Sequence, residues 1–182
     1  MIVPGLLLAA GAGTRFGGAK QLAELDGRPL LEHAVAAALA ALPRVVVVLG
    51  ARAEEVRAGT DLSGAEVVVC PDWEEGLAAS LRAGLAALGD AREVVVLLGD
   101  QPGVSPEAIA WIAAQSGTCR AVYSGTPGHP VKLAGKDLRR AGTLKGDAGA
   151  RNLLRDARGV ECAPLADPRD VDTPSDLEAI RT

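Results

Sequence analysis

Four aromatic side chains, Phe16, Trp73, Trp111 and Tyr123, are all that the 182 residues contain. With 48% of the chain still apolar, the interior has to be assembled from Ala, Leu and Val. At this length such a core can be extensive without staples. Cysteine is sparse too: Cys70, Cys119 and Cys162 lie far apart, with no C-x-x-C pair and no His-rich tract nearby. That pattern argues against a disulfide framework or a zinc site and reads as the reduced thiols of a cytoplasmic protein. An excess of positive charge is also missing. The net charge is −4, with acids and bases interspersed, which argues against a nucleic-acid partner. No run approaches the roughly 18 apolar residues of a membrane span. The opening "IVPGLLLAAGAG" lacks a basic leader and reads as a strand rather than a signal peptide. No repeat, low-complexity linker or break in composition divides the chain. The expectation is one cytoplasmic domain over residues 1–182, with neither membrane nor nucleic acid as partner.

What is present is an alternation. "VVVVLG" (45–50), "EVVVC" (66–70) and "EVVVLLG" (93–99) are continuous apolar runs, expected as strands buried on both faces. Between them, "LLEHAVAAALAAL" carries Leu31, Val35 and Leu42 at helical spacing, and "GLAASLRAGLAAL" aligns Leu77, Leu81, Leu85 and Leu88 on one helix stripe. Asp26-Gly27 marks a tight turn. Beyond residue 115, "CRAVYSG" is strand-like and "TPGHPVKL" is turn-rich with a strand as an option. "GDAGARNLLRDA" looks helical from Ala148, "VECAPL" suits a last strand, and "TPSDLEAI" carries helix-start signals. The pattern predicts an α/β fold, a three-layer Rossmann-like domain with a mostly parallel sheet. In such sheets ligands sit beyond the carboxyl ends of the strands, so the loop at 10–20 and "GDQP" (99–102) should share one crevice.

The first of these loops lies in "LAAGAGTRFGGAKQL" (8–22), where Gly11, Gly13, Gly17 and Gly18 surround Arg15, with Lys20 following. A P-loop requires G-x-x-x-x-G-K-S/T, but Lys20 stands between Ala19 and Gln21 and the hydroxyl is absent. A dinucleotide loop requires G-x-G-x-x-G, but Phe16 holds the third glycine position. No acidic residue closes "VVVVLGAR" to bind a ribose. A third reading uses the cations: the backbone amides of Gly11 through Gly17 wrap a triphosphate, while Arg15 and Lys20 neutralise its oxygens. The plain alternative is a loop whose glycines only turn the chain.

The same stretch resembles the signature L-A-A-G-x-x-x-R-M-G-x-x-K of single-domain nucleotidyltransferases. Within that group the chain looks most like the molybdenum cofactor cytidylyltransferases. "CPDWEEGLAASLRAGL" (70–85), "LGDQPGVSPEAI" (98–109), "GHPVKL" (128–133), "GDAGARNLL" (146–154) and "DVDTPSDL" (170–177) are similar to that family's further blocks, in the same order, over residues 6 to 180. Three departures stand out. Phe16 replaces a usual Met, Ser80 lacks its customary small polar neighbour, and Lys132 occupies a usually apolar position.

The resemblance implies a fold of the nucleotide-diphospho-sugar transferase type. It also implies transfer of CMP from CTP to molybdopterin cofactor with release of pyrophosphate, Mg2+ as the metal, and a molybdoenzyme or its chaperone as recipient. In this sequence Asp100, after the most apolar strand, and Asp172 become the metal carboxylates, with Asp170 a competitor and helix capping the alternative for each. Arg15, Lys20 and Asp100 form the catalytic set. Gly11, Ala12 and Gly13 offer amides to the phosphates, and the base lies between Leu8–Ala9–Ala10 and Ser80. His129, Asp147 and Arg151 fall on the acceptor side, with Lys145 a weaker candidate. The acceptor phosphate is already ionised, so no general base is needed. Trp73 and Trp111 read as core or edge aromatics.

Other readings stay open. GTP could replace CTP, or a sugar or isoprenoid phosphate could replace molybdopterin. A non-catalytic nucleotide or cofactor carrier would have little use for Arg15, Lys20 and Asp100 together. A dehydrogenase is disfavoured by Phe16 and the missing acid.

Overall fold

The computed structural model describes residues 2–146 and 152–181. Five-residue apolar runs form its centre: β1 (Gly5–Ala9) and β4 (Val45–Leu49) are buried at every position. They lie side by side in parallel, and β6 (Glu93–Leu98) flanks β1 on its other edge, also parallel. Alternate residues serve opposite layers, as the period of a strand requires. Leu7, Val47 and Val95 face one core cluster, whereas Leu6, Val46 and Val94 face the other. The first cluster is closed by α1 (Leu30–Ala41), α2 (Ala53–Gly59) and α4 (Pro106–Ala113). The second is closed by α3 (Leu77–Leu88) and α5 (Gly135–Ala141). The result is the expected three-layer α/β domain.

The described residues form one seven-stranded sheet in the order β5 (Glu66–Val69), β4, β1, β6, β8 (Thr126–Ala134), β7 (Cys119–Tyr123), β9 (Arg158–Glu161). Only β8 runs against its neighbours. The turn-rich "TPGHPVKL" is therefore a strand, with a register irregularity against β7 and a cis peptide between His129 and Pro130. Asp26-Gly27 closes a small hairpin of β2 (Glu24–Leu25) and β3 (Arg28–Pro29).

Three expectations are corrected. Strand β5 is not buried on both faces. It is the sheet edge, and Val69 is 43% exposed. The last strand covers 158–161 rather than "VECAPL". Helix α3 buries Ala78, Ala79, Ser80, Leu81, Gly84 and Leu88, whereas Leu77 faces outward at its first turn. Its contact face is a small-residue face because Gly84 lies so near Leu6 and Val48 that a Cβ there would clash. Lys132, the departure at a usually apolar position, has a structural place in the fold. It lies 3% exposed beneath α4, 2.9 Å from the Glu93 carboxylate, and donates to the carbonyls of Ala113 and Gln115 at the end of that helix. A cation there satisfies carbonyls that a helix terminus leaves free.

The C-terminal segment begins another helix, α6 (Pro174–Ile180). Thr173 caps it, and Asp176 returns the bond in a capping box. Val171 and Leu177 join Leu25 and Leu30 in a third cluster, against which Phe16 packs. Phe16 thus fastens the glycine loop to the hairpin and the C-terminal segment instead of plugging the sheet. No described helix is long and apolar enough to cross a membrane.

Candidate active site

The loop after β1 turns back on itself at Gly13. Its carbonyl accepts from the N–H groups of Phe16 and Gly17 at 2.9 and 3.0 Å. Gly13 has φ +64, and a Cβ there would run into the Gly18 carbonyl. Only glycine fits such a position without strain. This turn uses up two of the amides expected to face a ligand, so the cradle is narrower than Gly11 through Gly17. Gln21, buried at 4%, spans the base of the loop and donates to the carbonyls of Ala9 and Gly11 at 2.8 and 3.0 Å.

Lys20 leaves this loop and meets two carboxylates from distant parts of the chain. Its Nζ lies 2.6 Å from Asp100 Oδ2 and 3.0 Å from Asp172 Oδ1. Arg15, 72% exposed, reaches Asp172 Oδ2 at 2.8 Å. Burial lowers the pKa of Lys20, but the charges and hydrogen bonds of Asp100 and Asp172 more than offset this, and the pKa is raised. Asp170 shifts upward as well, first through burial and then through the Asp100 charge. Three carboxylates, Asp100, Asp170 and Asp172, thus face two cations.

Neither metal candidate is a helix cap. Ser105 caps α4 and Thr173 caps α6, which leaves both carboxylates to the cluster. The C-terminal segment is drawn in by Gln101, whose Nε2 donates to Asp170 Oδ1 at 2.8 Å and to the Pro168 carbonyl at 3.2 Å. Backbone bonds from Val171 to Asp100 and from Asp167 to Gly103 complete the docking.

Lys20 and Asp100, but not Asp172, line a cleft of about 400 Å³ together with Leu8, Ala9, Ala10, Gly11, Ser80, Gln21, Trp73 and Glu74. Most of the expected nucleotide residues therefore share one wall. Ala12, Gly13 and Arg15 belong to the loop above it and do not line it. Trp73, read as a core or edge aromatic, packs against the second core cluster and also lines the cleft. It comes close because Gly50 has no side chain: a Cβ there would meet the Cβ of Trp73 at 2.6 Å and the Ala10 carbonyl at 2.7 Å. His129 borders a smaller apolar cavity beside the cleft, which shares Leu8 and Leu77 with it. Burial, with a further push from Arg120, takes the His129 pKa down to about 4. Lys145 is exposed. Asp147 and Arg151 lie outside the described residues.

One observation bears on a metal. Asp100 Oδ1 is buried and has no hydrogen-bond partner, an expensive state for a carboxylate oxygen. An oxygen-only donor pair with surplus negative charge suits a hard divalent cation. Among the described residues no group of three or more His, Cys, Asp or Glu is placed to hold a metal by itself, so a bound cation would share its shell with ligand and water.

A parallel sheet with a glycine loop after its first strand and a carboxylate–lysine cluster at its carboxyl edge defines a nucleotide-binding α/β protein. The MobA-like NTP transferase domain matches residues 5–162, and the chain belongs to that family. A protein of Paenarthrobacter nicotinovorans named nicotine blue oxidoreductase is 38% identical over 94% of this chain and 92% of its own. The crystal structure of Rv0371c from Mycobacterium tuberculosis superposes with a TM-score of 0.85 at 32% identity, covering 99% of this chain and 97% of that one. A manganese complex of the same protein gives a TM-score of 0.84 at 30% identity, over 99% and 98% of the two chains. A nucleotidyl transferase from Methanothermobacter thermautotroptrophicus gives 0.82 at 26%, over 99% and 96%.

Proposed function

We propose that this protein is a magnesium-dependent nucleotidyltransferase that moves CMP from CTP to the phosphate of molybdopterin cofactor and releases pyrophosphate. The supporting observation is Lys20 held between Asp100 and Asp172 at the cleft, with Asp100 Oδ1 buried and unpartnered. Asp100 and Asp172 would hold the cation, which when bound screens the triphosphate oxygens against the incoming anion.

The chain's own groups do the rest. The free amides of the loop, from Gly11 to Arg15, receive the β- and γ-phosphates. Arg15 gives up Asp172 for the leaving pyrophosphate, and Lys20 turns to the α-phosphate, where negative charge builds during transfer. An oxygen of the acceptor phosphate bonds to the α-phosphorus while the bond from that phosphorus to the α,β-bridging oxygen breaks. The electron pair leaves with pyrophosphate, and no proton need move. Leu8, Ala9, Ala10 and Ser80 border the base, and Trp73 offers it a flat apolar wall. The CMP-bearing cofactor then passes to a molybdoenzyme or its chaperone.

A second reading follows from the relative named nicotine blue oxidoreductase, 38% identical along nearly the whole chain. In it the same loop holds the diphosphate of a reduced nicotinamide dinucleotide, and a hydride passes to a dye-like acceptor. One experiment separates the two. The protein is incubated with Mg2+ and each of CTP, GTP, ATP and UTP, with and without molybdopterin cofactor, and pyrophosphate is measured. A parallel set with NADH or NADPH and a quinoid dye is followed by nicotinamide absorbance. Cofactor-dependent pyrophosphate release with CTP is the expected result. Release with another nucleotide overturns the base assignment alone, and nicotinamide oxidation without pyrophosphate release overturns the transferase.

A further inference from the structure

Strand β7 places Arg120 opposite Val131 of β8. Opposed residues of a ladder project from the same face, and Val131 lines the small apolar cavity together with His129, Val96 and Leu8. Arg120 is half-buried, its Nε is inaccessible and without a hydrogen-bond partner, and burial pulls its pKa down. No ion pair with a carboxylate offsets that loss among the described residues. Other arginines with restricted exposure are paired: Arg82 with Glu75 at 2.9 Å and Arg44 with Glu66 at 2.7 Å. A donor that water does not reach and that has no acceptor is unfavourable, and such local violations cluster where a ligand supplies the missing partner.

The neighbour of Arg120 on this wall is a hydrogen-bond donor without a charge. The His129 imidazole is neutral near pH 7, lowered first by burial and then by the Arg120 charge. Its backbone is held in place by Tyr123 Oη, which donates to the His129 carbonyl at 2.7 Å. The cavity shares Leu8 and Leu77 with the nucleotide cleft, and β8 lies directly beside β6, the strand that leads to Asp100. In the sheet this wall lies beyond β6 from β1, the strand that leads into the glycine loop.

We infer that Arg120 and His129 form an oxyanion-binding subsite that holds the phosphate monoester of the acceptor, with the acceptor's apolar part over Val96 and Val131. Its assignment to the acceptor rests on the transferase reading above, but the anion site itself does not. The guanidinium supplies the charge and a fork of N–H donors suited to phosphate, and the imidazole adds one neutral N–H donor. Arg120 is a binding residue on this scheme, and nothing in it requires a proton to be exchanged.

The chain has two histidines, which makes the test direct. Ring C–H signals of His129 and His33 are followed by NMR while inorganic phosphate is titrated into the ligand-free protein near neutral pH. His33, bonded to the Leu25 carbonyl at 2.8 Å, serves as an internal reference for the native fold. A saturable shift of the His129 signals is expected, with affinity falling about tenfold or more in Arg120→Gln, the loss of one charge-assisted contact. An Arg15→Gln/Lys20→Gln double variant, which removes the loop cations, should keep the His129 response. No response in the unaltered protein overturns the subsite, as does an unchanged response in Arg120→Gln. With CTP and molybdopterin cofactor, Arg120→Gln should raise the KM for the cofactor and leave the KM for CTP. Absence of all transfer would sink the enzyme reading while the NMR result still decides the anion site.

Discussion

Around β1 and β6, every long cationic side chain near the cleft has found an acid: Lys20 joins Asp100 and Asp172, and Arg15 joins Asp172. Across β8 and β7 the opposite holds: among the described residues Arg120 has no ion pair, and His129 is kept neutral. Among the described residues the first region carries surplus negative charge, and on the proposed reading it would take up a cation together with a polyanion. The second carries surplus positive charge in an apolar setting and is suited to a single anion. A transfer between two phosphates needs both kinds of place, because the two anions must be screened separately before they can meet.

The sharpest way to break this contrast is at Asp100. Asp100→Asn removes the carboxylate whose Oδ1 is unpartnered, and transfer should fall on the order of 10³-fold with the fold intact. Pyrophosphate release and a thermal melt check both halves of that statement. Next in size is a substitution on neither site. Glu93→Ala strands the buried Lys132 ammonium, although two carbonyls still hold it. A loss of about 3 kcal/mol in urea unfolding is expected, with the KM values for both substrates unchanged. If activity falls with stability unaltered, Lys132 belongs to the acceptor region after all.

Gly13→Ala tests the glycine loop by strain alone. Its positive φ and the close Gly18 carbonyl make the native turn unfavourable by about 1–3 kcal/mol. The KM for the nucleotide should rise roughly tenfold, and phosphate binding at His129 should not change. The last effect is a pH dependence on the other side. The folded pKa of His129, about 4, lies below the ordinary 6.5, so between those values the unfolded chain binds more protons. Stability is then full above about pH 6.5 and is lost as pH falls toward about 4. His129→Gln should flatten that part of the urea-midpoint profile, and an unchanged profile would place the titration elsewhere.

Much of the candidate cleft could be read from the chain because its pieces are local. β1, β4 and β6 are continuous apolar runs, and Gly11, Lys20 and Asp100 follow such runs directly. The Thr-Pro start of α6 was equally plain, since a capping box is written within four residues. The short helices α2, α4 and α5 were not anticipated, because seven or eight residues carry too few turns for a clear periodicity. Gln21 and Gln101 gave no signal at all. Each is an ordinary polar residue in sequence and becomes a clamp only when the carbonyls of Ala9 and Gly11, or Pro168 and Asp170, are brought to it. The cleft-lining part of Trp73 was hidden for a similar reason: its place there depends on Gly50, at the end of another strand.

Alternating strand and helix patterns, the glycine loop, its two cations and the acids at strand ends follow from the order of residues alone, because hydrophobic period and backbone freedom act over a few positions. Which charges meet is another matter. Lys20 stands 80 residues from Asp100 and 152 from Asp172, and among the described residues Arg120 Nε is left without a partner where the sheet sets it opposite Val131. Pairing and isolation of charge depend on distances through space and on exclusion of water, and those are set when the layers pack.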